Sequence, residues 1–143
     1  MQFRYVEDVA IADVAFEAWG STLAEMFTAA SEATIQVMVA ESASVAPRVR
    51  REVRLEAEAI DLLLFELLQE LIFYKDAEQL LLRLLEANVE ERGDGWTLSA
   101  VLGGEPIDPS RHELLVDVKA VTLHRFLVEP FEGGWKAFVI LDI

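Results

Sequence analysis

The nine residues Trp135–Ile143, WKAFVILDI, constrain the fold more than any other stretch. Strand alternation sends Trp135, Ala137, Val139, Leu141 and Ile143 to one side. Lys136, Phe138, Ile140 and Asp142 go to the other. Both sides are apolar through the middle, so the segment reads as a central strand with cover on both faces. That cover must come from the rest of the chain, which demands a layered architecture. The same run closes on a problem. Asp142 follows four apolar residues, and the terminal carboxylate expected at Ile143 would add a second negative charge beside it. Asp13 repeats the oddity, as the one carboxylate in VAIADVAF. A carboxylate in apolar surroundings needs partners, a cation or a raised pKa. The bland alternative for each aspartate is a solvated strand end.

Periodicity supplies the covering layers. DVAFEAWG alternates Val14, Phe16 and Ala18 against Ala15, Glu17 and Trp19, a strand that Gly20 ends. Thr22 with Glu25 three residues on is a capping box. After it Leu23, Met26, Phe27, Ala30, Thr34, Val37 and Met38 form one face of a helix reaching to about Glu41. SASVAPRVR is a loop punctuated by Pro47, and EVRLEAE is a half-exposed strand. Ile60 to Lys75 is too leucine-dense for one stripe and predicts a second, mostly buried helix. DAEQLLLRLLEANVEER is open to helix or strand, with leucine content favouring helix. Gly93-Asp94-Gly95 marks one hairpin, and PFEGG, between LLVDVKAVTLHRFLVE and WKAFVILDI, marks another. The order strand, helix, strand, helix, then strands predicts an α+β fold with two helices on one largely antiparallel sheet. At 143 residues a single domain, 1–143, is expected.

Charge and composition limit the function. Acids outnumber bases 26 to 12, for a net charge of −14, and before Arg48 the only base is Arg4. Such a chain repels phosphates, so direct nucleic-acid binding is not expected. It suits a basic protein surface or a cation. With no cysteine, thiolate catalysis and cysteine-ligated zinc are excluded. With no leader-like stretch and only short apolar runs, a soluble, cytoplasmic protein without membrane partners is expected. No glycine-rich phosphate loop or GxSxG elbow is present. His112 lies in a loop beside Arg111. His124 lies in a strand where Thr122, His124 and Phe126 share a face, the pattern of a packed residue as much as of a functional one. Lys119, inside VDVKAVTLH, reads as a stem packed on the sheet with its ammonium in water, or as a functional lysine.

IADVAFEAWG, DPSRHE, VKAVTLH and LDI, in this order and at this spacing, together resemble the archease family over nearly the whole chain. The resemblance implies a fold richer in strands than helices, so LLLRLLEANVE becomes a strand. It implies a protein cofactor of a tRNA-splicing RNA ligase. That ligase joins a 2′,3′-cyclic phosphate or 3′-phosphate end to a 5′-hydroxyl end after guanylylating its own histidine with GTP and a divalent metal. The cofactor would promote guanylylation and turnover without being an enzyme itself. The resemblance also implies a metal at one tip, on the positions of Asp13, Asp142 and Ile143, and a functional strand lysine at Lys119. Two carboxylates about 4 Å apart repel by roughly 4 kcal/mol at an effective dielectric near 20. A divalent cation offsets this, and oxygen-only ligands favour a hard ion such as Ca²⁺ or Mg²⁺; the expected cofactor is one divalent cation, Ca²⁺ foremost, with Mg²⁺ or Mn²⁺ as alternatives. The family's His-Thr before the first aspartate is replaced by Ala10-Ile11, which leaves Glu7 and Asp8 as the nearby polar groups. Two other readings remain: a small metal-dependent phosphoester hydrolase using Asp13 and Asp142, and a metal-independent chaperone-like binding module.

Overall fold

The computed structural model describes residues 2–7 and 13–143. The elements run β1 (Gln2–Val6), β2 (Asp13–Gly20), α1 (Leu23–Met38), a 3₁₀ turn (Ser42–Ser44), β3 (Val49–Ala57), α2 (Ile60–Glu78), β4 (Leu80–Arg92), β5 (Gly95–Pro106), β6 (Ala120–Phe131) and β7 (Gly134–Asp142). The α+β class holds. The strands, however, make two antiparallel sheets among the described residues, one ordered β1-β2-β7-β6 and one ordered β3-β5-β4, where the sequence suggested a single sheet.

The two helices tie the sheets together. α1 touches β1, β2 and β7 of the larger sheet and β4 of the smaller; α2 touches β3, β4 and β5, and also β6. α1 is therefore approached from two sides, and its buried surface exceeds the stripe read from the sequence. Ala29, Ala33 and Ile35 are buried together with Met26, Phe27, Ala30 and Thr34. Its start is the expected capping box. The Glu25 main-chain N–H donates to Thr22 Oγ1 at 3.1 Å, and the Glu25 carboxylate accepts from the Thr22 N–H at 3.2 Å. The helix ends at Met38, three residues earlier than the pattern suggested, because the chain there turns into an extended bridge between Val39 and Leu114.

β7 is central as expected, with β2 on one side and β6 on the other. Ala137, Val139, Ile140 and Leu141 are all buried. The turn before it places both Glu132 (φ 48°) and Gly133 (φ 80°) in the left-handed region, the requirement of a tight I′-type hairpin turn. The leucine-rich segment after α2 is strand β4, as the family resemblance implied and leucine propensity did not. Gln79 caps α2 in a left-handed conformation (φ 53°) and reverses the chain. Leu80, Leu81, Leu82 and Leu84 are then buried along β5. Cross-strand pairing and burial outweigh an intrinsic preference worth only tenths of a kcal/mol per residue.

Candidate functional site: a carboxylate-tipped sheet end

β2 and β7 pair in continuous register from Asp13↔Asp142 to Gly20↔Trp135. The two aspartates sit directly opposite each other at the last rung, on the same face of the sheet. On an antiparallel ladder opposite Cβ atoms are roughly 4.5–5.5 Å apart, and like charges in that position destabilise. β6 closes the other flank: Ala120 pairs with Asp142, and the Lys119 N–H donates to the Asp142 carbonyl at 2.8 Å. Ile143 follows at once, and its side chain packs against the core, which anchors the strand end. Asp13, Asp142 and Ile143 are half-buried. Three candidates from the sequence, together with the main chain of Lys119, thus meet at one end of the larger sheet. Asp8 and Ala10–Ala12 lie outside the described residues.

Two expectations need correction. Lys119 is exposed and precedes β6, so its stem does not lie on the sheet inside a strand. Apart from the isolated bridge at Leu114, residues 114–119 belong to no strand, and β6 starts only at Ala120. His124 falls in a bulge, where β6 takes five steps from Thr122 to Leu127 against two on β7, and Arg125 has φ 57°. Alternation therefore fails there. Phe126 turns onto Phe65 of α2 with ring centroids 5.7 Å apart, and the Arg125 guanidinium lies 4.7 Å over Phe138. His124 is exposed and outside the ladder that carries the aspartates.

The chain neutralises other carboxylates with its own cations. Glu17, on the same face of β2 as Asp13, accepts two hydrogen bonds from Arg4 at 2.8 and 3.2 Å and pairs with Lys136. Lys136 first and then Arg4 hold its carboxyl below the usual range. Sequence reading missed a second cluster. Glu105, 2% exposed, accepts from the Ala46 N–H at 2.8 Å and pairs with Arg48, Arg111 and His112. The Ala46 N–H, followed by His112 and Arg111, outweighs burial and brings its pKa down to about 2. The Asp108 N–H donates to His112 Nδ1 at 3.0 Å, so Nε2 carries the proton that it donates to Glu105, also at 3.0 Å. The signal was present in the sequence: an acid and two bases, Glu105, Arg111 and His112, bracket the loop after an apolar strand. The tip differs. Among the described residues neither Asp13 nor Asp142 has an ion-pair partner.

The donor set fits a hard cation in part. Among the described residues no three His, Cys, Asp or Glu side chains form a ligating group. The tip offers two facing carboxylates, oxygen donors of the kind that hard cations take, and fewer than the six or more that such an ion needs.

Fold and tip together define a small acidic α+β protein, two antiparallel sheets bridged by two helices, with a carboxylate pair at one sheet end. Residues 3–143 match the model of the Archease protein family (MTH1598/TM1083), and the chain belongs to that family. It is 37% identical over 145 residues to the protein archease of Archaeoglobus fulgidus, covering all of both chains. It is 35% identical to that of Pyrococcus abyssi, over 92% of this chain and 93% of the relative. The solution structure of Methanobacterium thermoautotrophicum protein 1598 superposes with a TM-score of 0.84 at 35% identity, over 99% of this chain and 98% of that one. A Thermotoga maritima crystal structure, described as an archease and possible chaperone, shares the fold with a TM-score of 0.62 at 17% identity, over 96% of this chain and 97% of that one. No helix among the described residues is long and apolar enough to cross a membrane.

Proposed function

We propose that this protein is an accessory factor of a tRNA-splicing RNA ligase, promoting the ligase's guanylylation and repeated turnover through its carboxylate tip. The observation that carries the reading is the Asp13↔Asp142 rung, with the Lys119 main chain bonded to the same residue. Family membership supports it. Asp13, Asp142 and the carboxylate of Ile143 would hold one divalent cation, Ca²⁺ foremost or Mg²⁺ or Mn²⁺. A bound ion would offset the repulsion between the facing carboxylates and would supply a positive centre at the tip. The chain's own part is positional. β2 and β7 fix the two carboxylates, Ile143 anchors the strand end in the core, and the exposed Lys119 is held to Asp142 by its main chain.

The hydrolase reading gains no support from the histidines. Both ring nitrogens of His112 are engaged in a buried cluster, and His124 stands outside the ladder. The test is multiple-turnover joining by the ligase of the same organism, with and without this protein. Stimulation that Asp142→Asn removes supports the reading; equal turnover with and without the wild-type protein overturns it.

A further inference from the structure

The connection from β5 to β6 exposes three consecutive apolar side chains: Leu114 (45%), Leu115 (52%) and Val116 (42%). This is not a slack loop. The Ala40 N–H donates to the Glu113 carbonyl at 2.9 Å, and the Leu115 N–H to the Met38 carbonyl at 2.8 Å. Two residues on, Asp117 accepts from the buried Lys75 of α2 at 2.6 Å. Burial opposes the Lys75 charge, but its bonds to Asp117 and Asp76 hold its pKa above the usual lysine value. Lys119 then ties the segment to Asp142. Held at both ends, the segment presents its apolar side chains in a fixed arrangement, at low entropic cost to a partner.

Beside it is a mainly apolar cavity of ≈ 140 Å³ lined by Met38, Leu81, Ile107 and Leu114–Val116, with the Lys75–Asp117 ion pair as its polar part. This is well short of the roughly 300–1,000 Å³ typical of small-molecule sites, and suits one apolar side chain. Asp76, Glu113 and Asp117 are exposed around the patch, and the segment leads to the two aspartates of the tip. An apolar centre with an acidic rim, on a chain of net charge −14, complements a basic rim around an apolar knob.

We propose that Leu114–Val116 and the cavity beside them dock a protein surface presenting one apolar side chain within a ring of lysine or arginine. This rests on the accessory reading above, which makes the ligase the partner. The segment supplies affinity and delivers the tip to its target, a division of labour that the tip alone does not require.

The experiment measures binding to the ligase and stimulation of joining for wild type, Leu115→Ala, Leu115→Glu, Val116→Glu and Asp142→Asn, with melting and sedimentation as controls. The charged patch variants should raise the Kd by about tenfold or more, with Leu115→Ala intermediate. They should keep the wild-type melting temperature, since both side chains are exposed. Stimulation should return at high protein concentration for the patch variants but not for Asp142→Asn. If wild type stimulates and the patch variants have unchanged Kd and half-saturating concentration, the docking inference is wrong while the accessory reading stands. If wild type neither binds nor stimulates the ligase, the reading fails and the inference falls with it. A wild-type dimer that Leu115→Glu converts to monomer would assign the patch to a second copy of this chain and overturn the proposal.

Discussion

Glu17 and Asp13 lie four residues apart on one face of one strand, and the fold treats them in opposite ways. Glu17 is flanked by Arg4 on β1 and Lys136 on β7, one cation from each neighbouring strand. Asp13 is placed opposite another carboxylate. Glu105 follows the Glu17 pattern more completely, with a main-chain N–H, two guanidiniums and a histidine around one buried group. This sequence therefore can supply counter-charges where folding needs them. A like-charge rung at the sheet end is a cost to folding, and among the described residues no cation offsets it. The contrast makes the tip a candidate site on physical grounds that stand apart from family resemblance.

The comparison breaks most visibly at its neutralised end. Glu105→Ala strips the acceptor from the Ala46 N–H, Arg111, Arg48 and His112 at once. The buried His112 ring and the part-buried Ala46 N–H are left without their acceptor, so melting should fall by on the order of 10 °C. A thermal scan by circular dichroism checks this, and an unchanged midpoint would mean the cluster contributes nothing net. Next in size is a functional effect without a structural one. Lys119→Ala should reduce ligase stimulation by about tenfold or more, the scale of an interface contact worth over 1 kcal/mol. Its side chain is exposed and its hydrogen bond to Asp142 is a main-chain one, so melting should not move. A large stability loss would return Lys119 to a structural role.

Acid tests the neutralised region. Glu105 has a folded pKa near 2 against an ordinary 4.5, so the stability it contributes is complete above pH 4.5 and lost as pH falls towards 2. Glu17, also depressed, loses its contribution in the same direction. Chemical denaturation at pH 7, 4 and 2.5 should show this loss in wild type and a flatter profile in Glu105→Gln. The smallest effect belongs to the tip without metal. Asp142→Asn removes one of two opposed charges and should stabilise the metal-free protein by about 0.2–1 kcal/mol. Destabilisation would mean that the carboxylate already has a partner in the protein.

How much of this was legible follows from where local pattern decides. The capping box at Thr22, the hairpin turns at Gly93 and Gly133, and the two-sided strand β7 were readable because each rests on a few adjacent residues. The choice between helix and strand for β4 was not settled by leucine count, although Ala87 and Val89 alternating with Glu86, Asn88 and Glu90 already carried a period of two. The bulge that displaces His124 has no turn residue to announce it, since Arg125 takes the left-handed conformation without a glycine. β1 went unread because its alternation is short and its burial slight. Asp13 and Asp142 were both suspect as carboxylates in apolar runs. That they oppose each other on one rung is a long-range fact, 129 positions apart in sequence, which only pairing of β2 with β7 discloses. The Glu105–His112 cluster was hidden for the same reason on its far side, where Ala46 and Arg48 arrive from a distant loop.

The central claim is that the Asp13↔Asp142 rung is a cation site, and thermal unfolding with and without Ca²⁺ tests it most directly. Calcium at about 100 times its dissociation constant should stabilise wild type by roughly 2.7 kcal/mol if only the folded state binds it. Asp13→Asn, Asp142→Asn and a variant extended beyond Ile143 should each lose that increment while remaining folded. Wild type that melts identically with and without Ca²⁺, Mg²⁺ and Mn²⁺, or aspartate variants that keep the full shift, would contradict it.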